Sequence, residues 1–304
     1  MTVFTPSQLN ELAFSGKAAM EKCDLVYESS LFAAAQQIAQ KSDERPIILL
    51  SGPSGSGKTT TSHKLEKYLD NMGHEAHTVS MDNYFYRRAD GVVPLDEHGN
   101  HDYESPDNLD IELFAQHTKM MAECRQVYMP TFDFANQRRA KETIPIKRKK
   151  GEIIIFEGIH ALNPNILSDH SFSPRVYVFP DAAVETGEGV ISQQLIRLLR
   201  RLMRDKVHRG SSFADTLNKF ESVCRGERLF IDPYKNDVDI TINTFLPYEL
   251  NVYSSVLCQE LKKQDYSLLQ KTGADKALSL LEQLEPIPVE AVSKDALIQE
   301  FLAL

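Results

Sequence analysis

The 304-residue sequence predicts an α/β fold, a mainly parallel sheet with helices on both faces. Three observations carry that expectation. Short unbroken apolar runs, Ile47-Ile48-Leu49-Leu50 and Ile153-Ile154-Ile155-Phe156, mark strands buried on both faces. The first runs into a glycine-rich loop, then a helical pattern, then another strand, which is one βαβ unit. Strand and helix patterns alternate afterwards, and that alternation builds parallel sheets.

The elements follow in chain order. Thr5 can cap a helix, Pro6 suits its first position, and Gln8 completes a capping box. A second helical stretch, rich in alanine and glutamine, lies around Leu31 to Ala39. Residues 1–44 therefore read as an N-terminal helical extension. Pro46 marks the change to the strand at Ile47. Beyond the loop, Leu65, Leu69 and Met72 share one helical face, with Gly73 as the C-cap. Ala76 to Met81 reads as a strand ending at Asp82, and Ile153 to Phe156 as one ending at Glu157-Gly158. Arg175 to Phe179 and Val238 to Ile242 are the remaining strands. The basic runs Arg138-Arg139 and Lys147-Arg148-Lys149-Lys150 read as a solvated hairpin or turn. Residues 45–265 form the central domain. Leu278, Leu281 and Leu284 give 266–304 the pattern of a C-terminal helical tail.

Composition narrows the function classes. Lysine and arginine total 34 against 43 acids, a net charge of −9, which disfavours a protein that coats nucleic acid. The 42% hydrophobic content excludes disorder as the main state. Cys23, Cys124, Cys224 and Cys258 form no C-x-x-C pair, so they read as buried small residues of a reducing compartment. The N-terminus has no basic or apolar leader pattern, and no apolar run nears the ~20 residues of a membrane helix. A cytoplasmic protein without a membrane partner is expected.

Gly52-x-x-x-x-Gly57-Lys58-Thr59 is the Walker A pattern, placed between a strand and a helix as a P-loop requires. The loop Gly52, Pro53, Ser54, Gly55, Ser56, Gly57, Lys58, Thr59, Thr60 is thus the candidate ATP-binding segment of a P-loop NTPase fold. Its backbone N–H groups and the helix N-terminus would hold phosphate. Lys58 would reach the β- and γ-phosphates and Thr59 would ligate Mg²⁺. Asp96-Glu97-His98-Gly99 fits D-x-x-G, but it follows no apolar strand and no N-K-x-D appears later, so a GTPase is disfavoured. Asp82 and Glu157 stand at the carboxyl ends of buried strands, where ligands of such sheets bind; either could hold Mg²⁺ or take a proton. In the helix Ile191–Asp205, Arg197, Arg200, Arg201 and Arg204 share a face opposite Ile191, Leu195, Leu198 and Leu202, with Arg209 following. Beside a P-loop, that face reads as a phosphate-clamping lid at about 190–212.

In order, these pieces resemble the phosphoribulokinase/uridine kinase family over roughly residues 46–255. The resemblance rests on the P-loop, Ser80-Met81-Asp82-Asn83-Tyr84-Phe85, Tyr103-Glu104-Ser105-Pro106-Asp107, Met129-Pro130-Thr131-Phe132-Asp133-Phe134, Phe156-Glu157-Gly158-Ile159-His160 and Leu199 to Gly210. It implies a kinase using ATP and Mg²⁺ to phosphorylate the 5′-hydroxyl of a pyrimidine nucleoside. Asp82 then matches the general base, Glu157 and Thr59 the metal ligands, and Lys58, Arg201 and Arg204 the phosphate-side cations. Arg209, Phe85, Tyr103, Phe132 and Phe134 match the nucleoside pocket. The chain departs from the pattern at three positions. Phe132 replaces a tyrosine, Gln137 replaces a histidine that often reads the base, and Glu104 replaces an aspartate that holds the ribose. Another nucleoside, a sugar phosphate or a pantothenate-like alcohol remains open as acceptor, as does a nucleotide-binding regulator without acceptor chemistry. The donor base and association into a homo-oligomer are likewise open.

Overall fold

In the computed structural model, which describes residues 1–86, 93–133, 136, 138–167, 171–187 and 189–302, alternation within each apolar strand divides the interior in two. The chain runs β1 (Thr2–Phe4), α1 (Pro6–Phe14), α2 (Lys17–Ala39), β2 (Ile47–Ser51), α3 (Lys58–Asn71) and β3 (Ala76–Ser80). Next come α4 (Ile111–Ala122), β4 (Val127–Asp133), β5 (Arg138–Ile146), β6 (Ile153–Glu157) and β7 (Arg175–Phe179). The remainder is β8 (Ala182–Thr186), β9 (Gly189–Ile191), α5 (Gln193–His208), α6 (Phe213–Phe230), β10 (Ile240–Asn243), α7 (Glu249–Leu261), α8 (Tyr266–Thr272) and α9 (Ala274–Leu281).

Five strands pair in parallel in the order β10-β7-β2-β6-β3. Every residue of β2 and β6 is buried. Ile48, Leu50, Ile153, Ile155, Val176 and Val178 face one apolar cluster, which includes residues of α1, α2, α5, α7 and α9. Ile47, Leu49, Ile154, Phe156 and Tyr177 face the other, against α4 and β4. Period-two alternation thus covers the sheet on both faces, as parallel pairing requires.

The capping box at Thr5 and Gln8 forms, with Pro6 in the first turn. The second helix is longer than its alanine-rich half, because Met20 and Tyr27 extend the buried stripe through Leu31 and Ile38. Two pairings escaped the sequence reading. β1 joins β8 in parallel and β8 joins β9 antiparallel, in a separate three-stranded sheet. β1 and β9, of three residues each, carry too few side chains to show a period.

The basic runs are not simply solvated. Arg148 is buried and caps the end of α4, donating to the carbonyls of Met121 and Ala122 at 2.8 Å each. Those carbonyls have no partner within the helix, so a cation there satisfies both valence and dipole. Arg139 pairs with Asp110, the cap of α4, at 3.0 Å and donates to the Tyr84 carbonyl at 3.0 Å. Of the cysteines, only Cys224 is buried, and all four are free thiols. Among the described residues no helix is long and apolar enough to cross a membrane.

The C-terminal tail is helical through α9 and then changes character. It runs irregularly back across the molecule and ends in a tight turn at Leu297–Glu300, with Leu297, Ile298, Phe301 and Leu302 buried in the first cluster. That return brings the tail to the P-loop.

Candidate active site

The carboxyl ends of β2, β6 and β3 lie side by side, so three chain segments converge there. Gly52–Gly57 leaves β2 and opens α3. Gly57 adopts φ +87°, a conformation that disfavours any side chain. The loop is tied down from behind. Thr244 Oγ1 donates to the Ser56 carbonyl at 2.7 Å, and an Arg200 guanidinium nitrogen donates to the Gly55 carbonyl at 3.2 Å. Lys58 folds back over the loop, its Nζ donating to the Pro53 carbonyl at 3.3 Å. Burial depresses its pKa, while Glu157 and then Glu300 oppose that shift.

At the end of β3, Ser80 starts a short turn over Met81–Tyr84 and accepts from the Asp82 N–H at 3.3 Å. Ser80 is in register with Glu157 on β6, and its side chain also hydrogen-bonds that carboxylate. Burial raises the pKa of Asp82, chiefly against Lys58. Burial raises Glu157 too; Lys58 opposes the shift and Asp82 adds to it. Two carboxylates thus share the field of the Lys58 ammonium, and Arg209 and Arg204 act on Asp82 as well. Glu157 is buried, and Thr59 is exposed in the first turn of α3. A hard divalent cation suits oxygen donors of this kind.

Helix α5 supplies the cations, though not all four arginines. Arg201 hydrogen-bonds the Ser54 hydroxyl of the P-loop, and Arg204 reaches the same hydroxyl at 3.4 Å. Buried Asp205 holds both, at 3.4 Å and 3.0 Å, and pairs with Arg209 at 3.4 Å. Burial lowers the Arg201 pKa to about 10, with Asp205 opposing it first.

The lid face expected from the sequence therefore divides. Arg197 is buried against Glu227 through two hydrogen bonds, of 2.7 and 2.5 Å. Arg200 is wholly buried and paired with Glu249 at 2.8 Å. Both acids lie on other helices, so the chain around α5 could not reveal them. Arg200 secures the P-loop from behind and does not face its ligand side through a free guanidinium.

The loop that carries Glu104 is anchored to α6. Gly226 packs so closely that a Cβ there would lie 2.3 Å from Glu104 Cβ. Next to it, Arg225 binds Asp102 at 2.8 Å and also pairs with Glu97. Burial raises the pKa of Glu104 while Arg201 pulls it down, so the carboxylate faces the α5 cations. His160 is buried and hydrogen-bonded to the backbone of Glu104; burial pushes its pKa down to about 4. Phe85 and Phe132 form an edge-on pair at 5.7 Å, and Phe132 is buried. Tyr103 is half exposed and Arg209 exposed. Phe134 and Gln137 lie outside the described residues.

Asp205, Arg225, Gly226 and Glu300 were not singled out from sequence. Asp205 had a signal, its i, i+4 spacing to Arg201 and Arg209. The others depend on contacts across more than a hundred residues, which no local pattern carries.

Comparison with known proteins bears on the family and the fold. Residues 47–248 match the profile of the Phosphoribulokinase / Uridine kinase family. A uridine kinase of Staphylococcus aureus (strain JH9) is 34% identical over 197 residues, 64% of this chain and 86% of that protein. Among solved structures, a Silicibacter sp. TM1040 protein described as a fructose transport system kinase aligns with a TM-score of 0.52 at 20% identity, over 69% of this chain and 98% of that one. Saccharomyces cerevisiae YFH7, described as a P-loop containing kinase with a circular permutation, aligns at 0.50 and 16% identity, over 70% of this chain and 98% of that one. At those identities the structural likeness speaks for the fold alone. The profile match spans the P-loop, Asp82, Glu157 and the whole of α5, and the chain belongs to the phosphoribulokinase/uridine kinase family of P-loop kinases.

Proposed function

We propose that this kinase transfers the γ-phosphoryl group of ATP to the 5′-hydroxyl of a pyrimidine nucleoside, uridine or cytidine. The observation that carries the reading is the placement of Asp82 and Glu157, at two adjacent strand ends, in the field of Lys58 at the start of α3. The relative named uridine kinase supports the acceptor class. Residues 45–265 are the proposed kinase domain.

Each residue has a chemical task in this reading. The P-loop amides and Lys58 bind the donor phosphates. Arg201 and Arg204, held by Asp205, offset the charge that spreads over the transferring group. Glu157 and Thr59 would hold Mg²⁺, which neutralises phosphate charge when bound. Asp82 accepts the proton of the attacking hydroxyl. Its raised pKa suits that role, since a stronger base drives the transfer better. Glu104 binds the ribose hydroxyls, and Phe85, Tyr103, Phe132, Phe134, Gln137 and Arg209 complete the acceptor pocket.

Phe132 in place of tyrosine and Glu104 in place of aspartate favour a second reading, a kinase of another small hydroxyl acceptor. The test is ADP release with ATP and Mg²⁺ across uridine, cytidine, adenosine, guanosine, ribose, pantothenate and ribulose 5-phosphate. Turnover on uridine or cytidine, lowered about 10²–10⁴-fold in kcat by Asp82→Asn, is the expected result. Turnover confined to a non-nucleoside would replace the acceptor assignment. An unchanged kcat in Asp82→Asn would remove Asp82 from its role.

A further inference from the structure

The C-terminal tail touches the P-loop helix at Glu300. Glu300 Oε2 accepts a hydrogen bond of 3.0 Å from the Thr60 backbone N–H, in the first turn of α3. That amide is one of the donors a helix N-terminus leaves free for an anion, and in a P-loop the anion is donor phosphate. The carboxylate also acts electrostatically on Lys58 and on Glu157.

The rest of the turn fixes it there. Leu297 lies against Gly57, where an added Cβ would come within 3.0 Å of its Cδ1. The Phe301 ring packs over the Arg200 guanidinium, 4.9 Å from the centroid, and Arg200 holds the Gly55 carbonyl. Leu297, Ile298, Phe301 and Leu302 are all buried. A carboxylate on such an anchored turn is an internal anion for the phosphate loop.

We infer that the C-terminal turn Leu297–Leu302 is an autoinhibitory gate on the donor site, with Glu300 held on the Thr60 amide in competition with a phosphate of ATP. Two anions cannot share one N–H donor and remain in contact, so donor binding moves Glu300 off the loop. Apparent donor affinity is lowered by the fraction of molecules in which the gate is docked. The inference rests on donor binding at the P-loop and is independent of the acceptor.

The experiment measures ATP, ADP and adenosine binding by calorimetry to the full chain, to Glu300→Gln and to Glu300→Ala. Glu300→Gln keeps the side-chain volume, and thermal melts of both variants establish that the fold is retained. The expected result is ATP and ADP binding tightened about ten- to hundredfold in both variants, the scale of one charged hydrogen bond, with adenosine unchanged. Hydrogen exchange at residues 297–302 should rise when ATP is added to the wild-type chain. Equal or weaker ATP binding by both variants would overturn the gate and make the contact purely structural. Tighter binding of adenosine as well would overturn the competition with phosphate. No ATP binding by any of the three proteins would overturn the donor reading and the gate with it.

Discussion

Replacing Arg200 by methionine separates its structural role from the chemistry of its neighbours on α5. Arg200 makes five hydrogen bonds in a fully buried site. Two reach Glu249 at 2.8 Å, two reach Thr244 through its hydroxyl at 3.3 Å and its carbonyl at 2.7 Å, and one reaches the Gly55 carbonyl at 3.2 Å. Methionine fills most of the volume and makes none of them. Glu249, itself wholly buried, loses its counter-ion and retains the Tyr253 hydroxyl at 3.0 Å and the Leu246 N–H at 3.3 Å. Breaking a buried pair on one side costs about 3–5 kcal/mol, because the orphaned charge remains desolvated. Urea unfolding should therefore show a loss of that size in Arg200→Met. The double variant Arg200→Met/Glu249→Leu should recover at least half of it, since removing both charges also removes the desolvation penalty. ATP affinity should not recover in the double variant, because the Gly55 carbonyl still lacks its anchor. A loss below about 1 kcal/mol in the single variant would place Arg200 in a hydrated, adaptable site and refute the reasoning.

Two further outcomes follow from the same geometry. Gly226→Ala puts a methyl 2.3 Å from Glu104 Cβ, so the Glu104 loop must shift by about 1 Å to restore contact distance. Displacements of that size cost about 10²-fold in rate, so acceptor kcat/KM should fall by that order while KM for ATP stays within threefold. A steady-state comparison showing equal losses for both substrates would detach Gly226 from the acceptor side. Acid stability reports on His160, whose folded-state pKa of about 4 lies below its unfolded value of about 6.5. The unfolded chain then binds the extra proton first, so this residue removes stability as pH falls from 6.5 towards 4. Between pH 7 and pH 5 its share is about 2 kcal/mol, and the loss measured by urea melts should shrink by that amount in His160→Gln. An identical pH dependence in the variant would show that His160 charges freely in the fold.

Much of the fold was legible because parallel strands buried on both faces are written as local composition. Ile47–Leu50 and Ile153–Phe156 needed no partner to be recognised, and Gly52–Thr59 carries its own phosphate geometry in its spacing. Helix starts at Thr5 and Lys58 were equally local. The weakest reading was α5. An arginine stripe with no acid before Asp205 looked like a clamp, yet Glu227 and Glu249 lie 30 and 49 residues beyond their partners. Charge run and ion pair are indistinguishable until the chain has folded, because the deciding distance runs through space. The same holds for Arg148, whose partners are the carbonyls that end α4.

The sequence by itself determined the strands of the central sheet, the P-loop, the acids that close two strands, and so the family. Those features depend on residues within a few positions of one another, where hydrogen bonding and side-chain period are set by neighbours. Tertiary structure alone decided which arginines are buried as structural cations and which reach Ser54. It alone placed Glu104 on Gly226 and carried Glu300 from the far end of the chain to the Thr60 amide. Those contacts span 122 and 240 positions, and only burial in a shared core brings such residues within ångströms.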